Sequence, residues 1–304
     1  MKALFISLIC LVLCGSFIGC SIYTSSSCQY ENVATTKNRN VCGVLKDSVV
    51  VYPIFVDVDQ FHPWTTFDIE STMDSIQTAM DWIQKQAGGS NQPLTITVHQ
   101  HNQKNKLTFN EAKVKPRLLR LNLSLLGSYR KKHRGHVDSW ADKIAVHAAK
   151  AIRPRKESKL ATKNKVKSIE RLIARLRDLY QTDNVALMIF VNGYYENYPS
   201  VSLHTYSSGP KAEYSIMTNK NPAIIAHEFL HLFGALDLYP HAIHPNFNYK
   251  EITKAYPNEI MRIQHKCIES LTLSPITKYY IGWQKTLDSK NTRMLYHKYD
   301  VVEY

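Results

Sequence analysis

The sequence predicts a mixed α/β (α+β) fold, and three observations predict it. Strand-like and helix-like segments alternate along residues 48–234. Residues 185–191 (VALMIFV) form an unbroken apolar run of the length expected for a central strand buried on both faces. Asn221 followed by Pro222 is a helix start: a capping side chain, then a residue whose fixed φ suits the first helical position. With 304 residues and 44% hydrophobic content, the chain can build a substantial core in one or two domains. Its aromatic content of 11% argues against disorder.

Taken in order, residues 48–56 (SVVVYPIFV) read as a strand, and Pro53 places it at a sheet edge or a bulge. Asp68 is expected to cap a helix to about residue 86. Ile69, Met73, Ile76, Met80 and Ile83 recur on one face, and Gly88-Gly89 ends it. Residues 93–100 (PLTITVHQ) alternate as a strand, residues 118–126 suggest another, and 137–152 are helical. Residues 163–180 form an amphipathic helix, with Val166, Ile169, Leu172, Ile173, Leu176 and Leu179 on one face and cations on the other. Residues 192–212 read as a Tyr-, Ser- and Pro-rich loop, and 213–218 as a short edge strand. The helix after Asn221 ends at Gly234, which tolerates a left-handed cap. Ser274-Pro275-Ile276 opens a last helix to about residue 283.

The N-terminus reads as an export signal over residues 1–19. Lys2 is followed by an apolar run, and Phe17-Ile18-Gly19-Cys20 resembles a bacterial lipobox. Cleavage there leaves Cys20 as the lipid-attachment site and makes the product a membrane-anchored lipoprotein of the cell envelope. An uncleaved anchor and an ordinary secretory signal are the competing readings. Residues 20–47 are a polar tether, and 48–304 are the folded domain, divided into 48–234 and 235–304. Cys28, Cys42 and Cys267 allow one disulfide and leave one thiol over. Cys42-Gly43 resembles the thiol of a cysteine-switch propeptide. The flanking Arg and Pro are replaced by Val41 and Leu45, so a disulfide or an inert thiol is the preferred reading.

Net charge is +13, and it is concentrated. Residues 113–177 hold 20 Lys or Arg against Asp138, Asp142, Glu157 and Glu170, a local charge of +16. Such a segment suits an anionic surface or simply a solvated face. Nucleic acid is not expected, because the chain carries an export signal and only Tyr129 and Trp140 stand among these charges, too few for a stacking platform.

The chemistry is concentrated in residues 227–237, His-Glu-Phe-Leu-His-Leu-Phe-Gly-Ala-Leu-Asp. On a helix, His227 and His231 lie on one face about one turn apart and can offer two imidazole nitrogens to one Zn²⁺. Glu228 is then placed beside the metal-bound water as general base. A hydrolytic zinc site needs a third protein ligand and an open position. If Gly234 turns the chain, Asp237 swings back as that ligand. Glu251, 20 residues after His231, is the rival, with His241 and His244 behind it.

This pattern, H-E-x-x-H-x-x-G-x-x-D, resembles the Asp-ended branch of the metzincin zinc proteases, the snapalysin-like bacterial peptidases. The resemblance implies a twisted mixed sheet, an active-site helix, a smaller C-terminal subdomain, and a methionine in a tight turn beneath the zinc. Met261, in Pro257-Asn258-Glu259-Ile260-Met261-Arg262, is the match to that turn. Some members carry a Tyr two residues further on, where this chain has Ile263. The implied activity is peptide-bond hydrolysis of protein or peptide substrates with Zn²⁺ as cofactor. A substrate strand would align along 213–218, with Tyr214, Tyr239 and Tyr256 as candidates to stabilise the oxyanion. The other classes open to the sequence are a surface adhesin with a structural or vestigial zinc site, and a zinc amidase acting on cell-wall peptides.

Overall fold

The computed structural model describes residues 42, 44–57, 63–100, 107–108, 127–152, 168–192, 200–203, 213–240 and 247–295, all within the unit Lys37–Tyr304. The expected strand at 118–126, and calls on Cys20, Cys28, Val166, His241 and His244, lie outside these residues.

The elements are β1 (Asp47–Asp57), α1 (Thr66–Gly88), β2 (Leu94–Val98), β3 (Leu107–Thr108), α2 (Gly127–Ala151), α3 (Ile169–Tyr180), β4 (Asn184–Val191), β5 (Val201–Leu203), β6 (Tyr214–Met217), α4 (Pro222–Leu232), α5 (Tyr249–Ala255), α6 (Pro275–Tyr280) and α7 (Ser289–Leu295). The strands form one mixed sheet in the order β2-β1-β4-β6-β5, with β3 pairing the far end of β1. The pairs β2-β1, β1-β4 and β4-β6 are parallel, and β5 runs antiparallel to β6.

Side chains alternate along each strand, so the sheet presents two apolar faces. One carries Val50, Tyr52, Ile54, Val56, Val185, Leu187 and Ile189 against α2 and α3 in a single buried cluster. Within α3 the expected face is buried at Ile169, Leu172, Ile173 and Leu176, with Leu179 partly buried. The alternate strand residues, including Val51, Phe55, Met188 and Phe190, are also buried and face the layer of α1 and α4, whose two helices pack together. Helices therefore cover both faces, as a largely parallel sheet requires.

Four expectations change. The strand bearing Pro53 is central, paired with β4 from Val49 to Val56. The carbonyl of Val51 accepts from the His99 N–H on the β2 side, and residues two apart point the same way. Pro53 therefore aims its donorless nitrogen at the gap between β2, which ends opposite Val51, and β3, which begins opposite Val56. Asp68 is not the N-cap of α1. Thr65 is, and Asp68 sits at the third helical position of a capping box, each residue's side chain bonding the other's backbone N–H. Segment 213–218 is not an edge, because β6 lies between β4 and β5. The edge is β5, three residues inside the segment expected to be loop. The helix opened by Ser274 is not the last and stops at Tyr280. Gly282, at φ +87°, turns the chain where an added Cβ would meet the Val44 side chain.

The start of α4 is tied to the start of α1. Lys220, just before the cap of α4, pairs with Asp68 at 2.7 Å and lies 4.9 Å over the Trp64 ring. Burial pushes the Asp68 carboxyl up, but Lys220 and the two Thr65 hydrogen bonds outweigh it and hold the pKa below its usual value. A depressed folded-state pKa contributes stability above the unfolded value, and that contribution disappears as pH falls through the folded one. Asp68→Asn should therefore cost about 1 kcal/mol at pH 7, where the pair is partly exposed. Urea unfolding of the two proteins should converge as the pH is lowered below about 4. A difference independent of pH would contradict this account.

Candidate metal centre

The site is built on α4. Asn221 Oδ1 accepts from the Ala223 N–H at 2.8 Å, and Pro222 occupies the first turn, as the sequence implied. His227 and His231 point from one face, 1% and 5% exposed. Their rings stand perpendicular, and their Nε2 atoms are 3.0 Å apart. After Leu232 the helix closes with Phe233 and Ala235 N–H groups both donating to the Leu230 carbonyl, and Gly234 adopts φ +94°. That left-handed residue returns the chain to the helix face. Asp237 Oδ1 arrives 3.3 Å from His227 Nε2 and 3.2 Å from His231 Nε2. Among the described residues this is the cluster able to hold a metal ion, its ligand atoms within 4.8 Å of one another.

The hydrogen bonds on the other ring nitrogens define what the cluster can accept. His227 Nδ1 donates to the Ile260 carbonyl at 3.1 Å, and His231 Nδ1 to the Ala235 carbonyl at 2.7 Å. A carbonyl can only accept, so both Nδ1 atoms carry protons, and in the neutral rings both Nε2 atoms turn lone pairs inward. Two lone pairs and a carboxylate oxygen converge on one point, an arrangement that requires a positive charge. Two imidazoles and a carboxylate, with the outer nitrogens fixed by carbonyls, are a donor set that fits a divalent metal such as zinc. The same electrostatics act on protons. Burial pushes the His231 pKa down, but Asp237 and Glu228 reverse this and raise it to about 9. Burial pushes the Asp237 carboxyl up, and the two histidines overcome it and hold it well below the usual carboxylate range.

Glu228 is buried, and its Oε2 has no hydrogen-bond partner among the described residues. An orphaned carboxylate oxygen is costly unless the site uses it. The backbone carbonyl of Glu228 accepts from Ser202 Oγ at 2.7 Å, which joins the edge strand β5 to the site helix.

A turn at residues 257–263 supports the ligands from the C-terminal segment. Met261 is fully buried, and its carbonyl accepts from the Leu238 N–H at 2.9 Å, next to Asp237. Since the Ile260 carbonyl holds His227, consecutive residues of this turn brace two of the three candidate ligands. Glu259 fixes the turn from within. Its buried carboxylate accepts from the Met261 N–H at 3.2 Å, from Thr277 Oγ1 at 2.9 Å and from the Ser274 N–H. Burial raises its pKa, and those donors oppose the rise.

The other candidates fall elsewhere. Glu251 is exposed in the first turn of α5, its N–H bonded to Asn248, and is not in the cluster. Tyr214 donates to Asp138 and Tyr256 to Asn291, whereas Tyr239 stacks 6.4 Å from the His227 ring. Cys42 is buried, bonded to the Val185 carbonyl, with its thiol pKa raised by burial. Cys267 is exposed beside Glu269. Both are free thiols, and neither belongs to the metal cluster. One residue at the site was not anticipated: Gln264, whose Nε2 lies 2.8 Å from His227 Nε2. No spacing rule points to it, because its approach depends on the shape of the 257–263 turn.

Gly234→Ala places a side chain at φ +94° and should cost about 1 kcal/mol of stability. Any zinc affinity of the cluster should also weaken as Asp237 is displaced, measurable by competition with a chromophoric chelator. Unchanged zinc affinity would separate Asp237 from the metal. No protein-family model matches the chain, and no curated protein matches its sequence.

Proposed function

We propose that this chain is an exported zinc-dependent metalloendopeptidase of the metzincin type, with His227, His231 and Asp237 as zinc ligands and Glu228 as general base. The observation that carries the reading is the convergence of two imidazole lone pairs and one carboxylate oxygen beside a buried, unpartnered glutamate oxygen. A site that only held a metal for structural reasons would not need that second carboxylate. The left-handed Gly234 and the buried Met261 in a turn bonded to both ligand segments support the metzincin assignment and favour Asp237 over Glu251.

Zinc bound at these ligands supplies Lewis acidity, lowering the pKa of a coordinated water and polarising a carbonyl. Glu228 accepts the proton of the attacking water and delivers it to the departing amine. Burial keeps that carboxylate out of bulk solvent, where its proton would exchange. Ile260 and Ala235 hold the imidazoles in the tautomer that leaves Nε2 free for metal. Asp237 adds negative charge, which tempers the metal's acidity relative to three neutral histidines. The edge strand β5, bonded to the Glu228 backbone through Ser202, replaces 213–218 as the strand along which an extended peptide would align. Export through residues 1–19, lipid attachment at Cys20 and contact of the basic segment 113–177 with an anionic surface belong to the same proposal.

The purified chain should bind one zinc and cleave casein or members of a peptide library. Glu228→Ala should keep the zinc and lose at least about 10²-fold in rate. Equal cleavage by both proteins, or none by the zinc-loaded wild type, would sink the enzyme reading. In cell fractionation, Cys20→Ala should move the protein out of the detergent-extracted membrane fraction. Retention there would favour an uncleaved anchor.

A further inference from the structure

We propose that Gln264 donates the hydrogen bond that stabilises the carbonyl oxygen as it becomes negative during hydrolysis, an assignment that rests on the metallopeptidase reading above. The direction of its bond to His227 follows from the ring. In the neutral ring, with Nδ1–H committed to the Ile260 carbonyl, Nε2 accepts and the Gln264 amide faces it with N–H at 2.8 Å. The amide donor therefore points at the place where the three candidate ligands converge. Were zinc to take that lone pair, the amide would give up this contact, and the half-buried side chain would be left to donate to a group entering beside the metal.

Its backbone is held in place. The N–H groups of Arg262 and Ile263 both donate to the Glu259 carbonyl at 3.0 Å, and the Glu259 side chain is anchored to Ser274 and Thr277. The neighbouring cations are directed elsewhere. The Arg262 guanidinium bonds the Tyr256 and Pro257 carbonyls, and Lys266 Nζ bonds Asn258. The turn thus offers a neutral donor that keeps its protons at every working pH. A preorganised amide aimed at developing charge is a recognised means of lowering the barrier to acyl transfer. In the step, a bond forms from water oxygen to the carbonyl carbon, and the water proton passes to Glu228. The π pair moves onto the carbonyl oxygen, where the Gln264 N–H meets it. The pair then returns as the C–N bond breaks, and the amine nitrogen leaves with that bond's electrons and takes the proton from Glu228.

The test uses zinc-loaded wild type, Gln264→Ala and Gln264→Met, the last similar in length but with no N–H donor. Zinc affinity by chelator competition should stay within about threefold of wild type. The kcat should fall about 10²- to 10³-fold with little change in KM. Affinity for a phosphinic peptide built on the best-cleaved library sequence should fall by a similar factor, because its tetrahedral oxygens mimic the oxyanion. Affinity for the cleaved product peptides should be unaltered. Phosphinic binding as tight as wild type in Gln264→Ala, or a loss of zinc affinity that accounts for the rate loss, overturns the assignment. A wild type that binds zinc but neither cleaves peptides nor binds the phosphinic peptide overturns the metallopeptidase reading, and this one with it.

Discussion

Two hydrogen bonds, from His227 Nδ1 to the Ile260 carbonyl and from His231 Nδ1 to the Ala235 carbonyl, are the constraint on which the rest of the site depends. They decide which nitrogen of each ring faces inward. Each acceptor belongs to a segment whose path is fixed by something else. Ala235 follows Gly234, whose positive φ ends the helix. Ile260 follows Glu259, whose buried carboxylate is held by three separate donors. A helix with two histidines four residues apart is easily written. Making both rings present the same kind of atom to the same point requires a supporting carbonyl for each.

That arrangement is costly when empty of charge and favourable when charge is supplied. Two imidazole nitrogens 3.0 Å apart, faced by a carboxylate, favour a positive charge between them, be it a proton or a metal ion. The raised His231 pKa and the depressed Asp237 pKa are two expressions of that demand. A proton and a divalent metal would compete for that one position, so any metal uptake there would be linked to proton release.

Much of this was legible in the sequence where the controlling period is local. The four-residue spacing of His227 and His231, the Asn221-Pro222 start and the Gly234 stop are helix rules, and the structure follows them. The apolar run at 185–191 reads as a central strand for the same reason. What was not legible depends on distant partners. Whether Pro53 sits at an edge depends on where β2 stops and β3 begins, which residues 48–56 alone do not encode. The short strand β5 has three residues and acquires its role only by pairing with β6. Gln264 reaches His227 across 37 residues of chain, by way of a turn that Glu259 anchors to Ser274 and Thr277. Asp237 was intermediate: its place could be read from Gly234, while the exclusion of Glu251 from the cluster required the fold.

The layering of the sheet has an evolutionary consequence. Helices α2 and α3 belong to the strongly basic stretch 113–177 and pack on one face, while α4 carries the ligands in the layer on the other. The buried sheet and the apolar side chains packed on it stand between the outer surface of those helices and the two histidines. Substitutions that gain or lose lysines on the outer surface of α2 and α3 can thus accumulate with little effect on the ligands' protonation. The chain can adapt the surface that meets its surroundings while its chemistry stays under separate selection.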